Sequence, residues 1–338
     1  MLNLILKRFG VAAATILGAS LFSFFLLRKL PGDPARLVGG ELADEQTITS
    51  LRQAMGLDSP LQEQFWNYIT SSFHGDLGFS YTIGQPVSEL VRTRLPATVE
   101  LGLTGVATAV VLATVFAAIA VYRKKKGADV SLRIASSLAM GSPPFWLALV
   151  AILLLSVNLG IFPGPEGRLS PSLLPPPTIT GLYTVDSILS GQFGTFFDAL
   201  RHLILPALTI AVGPFAFLSR LFRSQLRNTM REPFIVVARS RGLLRGSVFL
   251  RHAVPNSLLS LVAATAMLLA ETMTGSVLVE KVFGWPGVGS LTVDAILQKD
   301  FAVVQGVILL SATLYVTVSF LADVVYVVVD PRIRAGAK

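Results

Sequence analysis

Cysteine is absent from the 338 residues, which removes disulfide scaffolds, thiolate zinc sites and thiol catalysis together. Charge is scarce, at 14% of residues against roughly 25% in soluble domains. A soluble fold this poor in charge exposes large apolar patches and aggregates. Disorder needs the opposite composition, low hydrophobicity with high charge. The three histidines, His74, His202 and His252, are scattered, with no H-E-x-x-H and no carboxylate at metal-ligand spacing, so no metal centre is expected. There is no G-x-x-x-x-G-K-[ST] segment, hence no phosphate-cradling loop in this chain. Serine hydrolysis has one candidate, Ser142 beside Gly141, and no histidine falls inside an apolar run to activate it. Neither catalysis nor a bound cofactor is expected.

What the chain has in quantity is apolar sequence: 52% of residues and a mean hydropathy of +0.66. A bilayer core about 30 Å thick needs about 20 consecutive apolar residues as helix. Phe9–Leu27, Leu101–Tyr122, Ala135–Phe162 (interrupted by Pro143-Pro144), Leu203–Ser219 (holding Pro206 and Pro214), Ser257–Val279 and Phe301–Ala322 approach or exceed that length. These predict an all-α membrane protein of six transmembrane helices, a single transmembrane domain over 1–338. Lys7 and Arg8 before the first run resemble a signal peptide, but no small-x-small cleavage site follows, and the run reads as a retained helix.

Basic residues stay on the cytoplasmic side. With the N-terminus inside, segments 1–8, 123–134, 220–256 and 330–338 hold 18 Lys and Arg in 66 positions, and segments 28–98, 160–202 and 280–301 hold 10 in 136. Both termini are therefore expected inside. The net charge of +8 is a topology signal; basic residues divided among short loops make no stripe for nucleic acid.

Segment 28–98 is the largest external stretch and carries helical spacing. Asp44–Met55 places Ile48, Leu51 and Met55 on one side, with Gly56 as a cap. Gln62–Phe73 does the same through Phe65, Tyr68, Ile69 and Phe73. The reading is a small helical cap. Segment 163–200, rich in Pro and Gly, is expected to be an extended loop. Glu271 and Asp323 are acids inside apolar runs, which face a bundle interior or a water-filled path. Glu271, with Thr274 and Ser142, gives the candidates for a translocation path; a bundle-interior hydrogen bond remains the alternative. An ion-coupled carrier shows paired repeats around such acids, and no repeat is evident.

The cytoplasmic segment 220–256 is the most informative. Pro233 suits a first helical turn, and Phe234, Val237 and Ala238 share a helical face. Gly242 permits a turn, and a second helix is expected from near Ser247 into the fifth run. A short helix with an apolar face among arginines is suited to a protein partner; an interfacial helix on anionic headgroups is the alternative.

This loop resembles the coupling motif of binding-protein-dependent ABC importer permeases, and the whole chain is similar to the first permease subunit of dipeptide, oligopeptide and nickel importers. The resemblance rests on pieces in order: Pro31-Gly-Asp-Pro34, Gly56-Leu-Asp-Ser-Pro60, Gly75-Asp-Leu-Gly78, Leu95-Pro-Ala-Thr-Val-Glu-Leu101, Pro144-Phe-Trp-Leu-Ala148, Leu205-Pro-Ala-Leu208, Glu280-Lys-Val-Phe-Gly-Trp-Pro-Gly-Val-Gly289 and Asp330-Pro-Arg-Ile-Arg334. Pro233-Phe234 departs from the family's Glu-Ala-Ala wording. The resemblance implies a bacterial or archaeal cytoplasmic-membrane transporter subunit with four kinds of neighbour: a second homologous permease, two cytoplasmic ATPases that carry ATP and Mg, an external substrate-binding protein, and the lipid bilayer. It assigns ATPase coupling to Glu232, Phe234, Ala238, Arg239, Arg241, Gly242, Leu243, His252 and Asn256. Peptides are the implied cargo, with nickel chelates, glutathione and oligosaccharides carried by the same type.

Overall fold

A computed structural model describes residues 2–29, 33–40, 43–123 and 126–329. Pro31 and Gly32 of the expected turn, Lys124 and Lys125 of the basic cluster, and the Asp330–Arg334 tail lie outside the described residues, as do the side chains of Thr274 and Asp323. The described chain is mostly helical. It runs α1 (Leu2–Arg28), α2 (Pro34–Gly39), α3 (Glu45–Ala54), α4 (Leu61–Phe73), a two-stranded hairpin of β1 (Phe79–Ser80) and β2 (Gln85–Pro86), then α5 (Val87–Arg123), α6 (Lys126–Gly141) and α7 (Pro144–Ala151). It continues through α8 (Tyr183–Leu189), α9 (Phe193–Thr229), α10 (Pro233–Ser240), α11 (Arg245–Val248), α12 (Val254–Gly275), α13 (Val277–Val282), α14 (Val288–Leu297) and α15 (Phe301–Val329).

Among the described residues five helices are long and apolar enough to cross a membrane: Phe9–Arg28, Val87–Arg123, Phe193–Thr229, Arg245–Met273 and Phe301–Ala322. The Ala135–Phe162 run does not form one rod. Pro143 lacks a donor and holds an extended conformation (φ −62°, ψ 134°), so α6 stops at Gly141 and α7 restarts with Pro144 in its first turn, where a missing N–H costs nothing. A π-helix, Ile152–Asn158, follows α7; together Pro144–Asn158 reaches only about 22 Å at 1.5 Å per residue. Ser142, expected inside a span, sits at this break and returns its hydroxyl to Leu138 O at 2.9 Å.

The long helices outrun their apolar stretches. α5 starts at Val87, well before Leu101, and α9 at Phe193, so part of the loop expected over 163–200 is helix. His202 is consequently inside a long apolar helix rather than before one. Pro96 in α5 and Pro206 and Pro214 in α9 are all accommodated without a helix break.

The chain forms two compact units, Met1–Thr98 with Pro286–Val316, and Val99–Trp285 with Thr317–Lys338. In the first, Val87, Leu90 and Val91 pack with Val288 and Leu291 of α14 and Val303, Val304 and Val307 of α15. Gly306 makes that contact possible: a Cβ there would lie 2.7 Å from Val87 Cγ1. Ser80 donates its hydroxyl to the buried Asp300 carboxylate at 2.5 Å, which joins the hairpin to the start of α15. In the second unit, Ala109, Ala113 and Ala117 of α5 pack with Leu218, Phe222 and Leu226 of α9 and with Val248, Phe249 and Leu261.

Candidate functional site

The segment that follows α9 folds back on itself through backbone rules that are readable locally. Glu232 is extended (φ −65°, ψ 146°), and its carbonyl accepts from Ile235 N at 3.0 Å, starting α10 with Pro233 in the first turn. Glu232 makes no side-chain cap bond. At the far end Arg241 N bonds Val237 O at 3.1 Å and Gly242 N bonds Arg239 O at 2.9 Å. Gly242 then takes φ +82°, a conformation open to glycine and costly for a side chain.

The faces of α10 differ from the sequence expectation. Ile235 is the fully buried residue (0% exposed) and Ala238, one turn on, is half-buried; both join the cluster of Phe222, Leu226, Val248 and Phe249. Phe234 and Val237 point away, with Phe234 43% exposed. The expected face of Phe234, Val237 and Ala238 is therefore divided, because Ile235 and Ala238 meet the end of α9. Val236, Leu243 and Leu244 extend the outward apolar surface, and Leu244 is 80% exposed. Arg231, Arg239, Arg241 and Arg245 are all exposed around it. Within 220–256 Glu232 is the single acid among eight arginines. An apolar patch ringed by cations is the form of an interaction surface, not of a solvent-facing loop.

The return helix starts at Arg245, two residues before the expected start near Ser247. Its first residues are held from α5: Arg245 Nη2 donates to Tyr122 O at 2.5 Å and its guanidinium lies 5.1 Å from the Tyr122 ring, which meets Phe249 at 5.1 Å. Phe249–Ala253 is a π-turn, with Val254 N bonded to Phe249 O. His252 lies in it, and Asn256 Nδ2 donates to His252 O at 2.7 Å. Ser257 donates to Thr229 Oγ1 at 3.0 Å, closing the two ends of the segment on each other.

Among the path candidates, Glu271 is on the exposed side of α12. An open groove of about 490 Å³ runs along α5, lined by Leu103, Thr104, Ala107, Thr108, Val111 and Leu112. Thr104 and Thr108 are its polar lining residues. They stand at i, i+4 spacing within an apolar run.

A second polar assembly orders the 163–192 segment. Arg168, 7% exposed, donates through Nη2 to Glu100 Oε2 at 2.6 Å and to Gly181 O at 2.8 Å, while its guanidinium lies 3.5 Å from the Tyr183 ring centre. Thr184 gives Glu100 Oε1 both its N–H and its hydroxyl. Asp186 accepts from Ile179 N, Thr180 N and Oγ1, and Gly181 N. Burial alone pushes its carboxyl up, but these bonds together outweigh it and hold the group below the usual carboxylate range. Among the described residues no group of three or more His, Cys, Asp and Glu is placed to hold a metal ion.

Comparison with known proteins gives two family matches. Residues 105–335 match the binding-protein-dependent transport system inner membrane component, and residues 1–102 match the N-terminal part of such membrane components. The chain is 37% identical over 321 residues to the "Probable D,D-dipeptide transport system permease protein DdpB" of Escherichia coli strain K12, covering 95% of this chain and 94% of that protein. It is 36% identical over 335 residues to the di/tripeptide transport system permease protein DppB of Pseudomonas aeruginosa, and 34% over 337 residues to the dipeptide transport system permease protein DppB of Escherichia coli K12, covering 99% of each chain.

Proposed function

Because the chain belongs to the family of binding-protein-dependent transport system inner membrane components, and is thus a multi-pass permease subunit rather than an enzyme, we propose that it forms half of the path of an ATP-driven peptide importer. The observation that carries this reading is the outward apolar surface of α10 and Leu243-Leu244, ringed by arginines and backed by a packed core. A cytoplasmic ATPase that takes Phe234 into a surface groove is the occupant that such a surface suits. On this reading two ATPases hydrolyse ATP with Mg on their own chains, a second homologous permease encloses the path, and this chain binds no cofactor itself.

The arrangement in the membrane is part of the proposal. Six crossings, the third made by the short Pro144–Asn158 helix, put both termini and 220–256 inside, and 28–98 and 160–202 outside, where a substrate-binding protein docks. The open groove on α5, with Glu271, Thr274 and Ser142, supplies candidates for the path. Peptide cargo is inferred from the names of the relatives, which specify D,D-dipeptides, di/tripeptides and dipeptides.

The test is to purify the chain with the products of its neighbouring transport genes and assay ATP hydrolysis in liposomes. Binding protein loaded with dipeptide is expected to stimulate hydrolysis and drive uptake. Uptake by this chain alone, driven by an ion gradient, rejects the reading in favour of a secondary carrier.

A further inference from the structure

Helix α4 has three distinct sides. Phe65, Tyr68, Ile69 and the buried Gln64 face other parts of the first unit. Glu63, Asn67, Thr70 and Ser71 form an exposed polar sector. Between them, at about 100° per residue, runs a third exposed stripe of Gln62, Trp66 and Phe73, in which two of the three residues are large aromatics: Trp66 is 65% and Phe73 80% exposed.

The inner side fixes the level at which α4 lies. Arg28, the last residue of α1, bonds Gln64 and stacks over Phe24, and Phe24 and Phe25 meet Phe65 with ring centroids 5.4 and 6.3 Å apart. Tyr68 donates to Gln305 O at 3.4 Å, about one turn into α15. Burial pushes the Tyr68 phenol up to about 12. Thus α4 lies across the ends of two membrane-crossing helices, in contact with residues one turn inside each. Its aromatics continue the surface of α1 on which Phe22 is 69% exposed, through Phe25, Phe65 and Trp66.

We propose that α4 lies in the headgroup zone of the bilayer, with Trp66 and Phe73 seated at the acyl boundary and Glu63, Asn67 and Ser71 turned to water. Aromatic side chains favour that zone because an apolar ring and a wet edge are both satisfied there, and an interfacial helix buries its apolar stripe by about 5–10 Å. The bilayer is favoured over a protein partner because the stripe is continuous with a lipid-facing surface and lies at the level of the helix ends. The inference rests on α1 and α15 crossing the membrane.

Since the chain lacks cysteine, single-cysteine spin labels need no background substitutions. Labels at Gln62→Cys, Ser71→Cys and Phe22→Cys keep both aromatics of α4. They are read in the full chain in phosphatidylethanolamine–phosphatidylglycerol nanodiscs by collision with oxygen and with a water-soluble nickel chelate. Gln62 is expected to favour oxygen, as Phe22 does, and Ser71 to favour nickel; adding Trp66→Ser and Phe73→Ser is expected to shift Gln62 to nickel. Nickel preference at Gln62 with both aromatics present, while Phe22 stays in lipid, places the stripe in water and overturns the proposal. Nickel preference at Phe22 itself shows that α1 does not cross, and rejects the premise.

Discussion

Gly242 has open space where a Cβ would be, so a substitution there acts through backbone strain alone. Gly242→Val is expected to cost roughly 1–3 kcal/mol of local strain, leaving membrane insertion intact while ATPase co-purification and uptake fall. Wild-type values for both would make Gly242 an ordinary turn residue. Arg168 is the opposite case, a buried cation with its counter-charge. Arg168→Met leaves the Glu100 carboxylate uncompensated, at about 3–5 kcal/mol, and should lower the melting temperature in detergent. Adding Glu100→Gln removes the stranded charge yet keeps an acceptor for Thr184, so partial recovery is expected. Asp186 adds a pH dependence. Its folded carboxyl titrates below its ordinary value, so its stabilising contribution is complete above about pH 4 and is lost as pH falls through the depressed value. Amide exchange at Thr180 and Gly181 should be faster in Asp186→Asn than in wild type at neutral pH. The two should converge in acid; a constant difference would contradict the assignment.

Two adjacent residues of α10 face different neighbours, and their substitutions should separate accordingly. Ile235→Ala empties a fully buried position and is expected to cost about 2–5 kcal/mol of stability. Phe234→Ala is expected to leave the melting temperature unchanged and to weaken ATPase binding by about 2 kcal/mol. If both variants lose stability equally, α10 is simply packed and has no docking face. The spacing of apolar residues placed this helix but not its orientation, because Phe234-Ile-Val-Val237 is apolar on every side and only the end of α9 selects Ile235. The same limit explains α14: ten residues between Gly287 and Gln298 are too few to show a period, and the packing against Val87 and Leu90 that holds them is remote in sequence. By contrast α3 and α4 lie within a residue of their expected bounds, since Asp44 caps Thr47 N at 2.9 Å and Pro60 precedes the first turn of α4, both local signals.

Across the described residues, five of the six apolar runs overlap helices long and apolar enough to cross a membrane, but the runs do not give the helix ends, and the Ala135–Phe162 run falls on a broken helix. A run marks the thickness of the lipid, whereas α5 and α9 extend beyond it to 37 residues each, about 55 Å, with Glu89 and Arg92 paired on the extension of α5. The paired prolines at 143–144 were visible, but whether they kink a helix or end it depends on neighbours that the sequence does not place. Orientation is tested by reporter fusions: a cytoplasmic signal is expected at Arg239 and an external one at Gln64 and Pro176. An external signal at Arg239 would remove the docking surface from any ATPase. Deleting Glu41–Phe73 is expected to abolish stimulation by the binding protein; unchanged basal and stimulated hydrolysis would reduce that segment to a spacer.

The Phe249–Ala253 turn gives the strut from Arg245 to Met273 a soft joint. Pro255 has no N–H to offer Arg251 O, and a π-turn, wider than an α-turn, lies just before it. If α10 takes up an ATPase as proposed, a load there would enter the 29-residue helix Arg245–Met273 at the end nearest this turn, where flexure is the expected first response. Restoring the donor with Pro255→Ala is expected to stiffen this turn, and the spread of distances between labels at Arg245 and Ser260 to narrow.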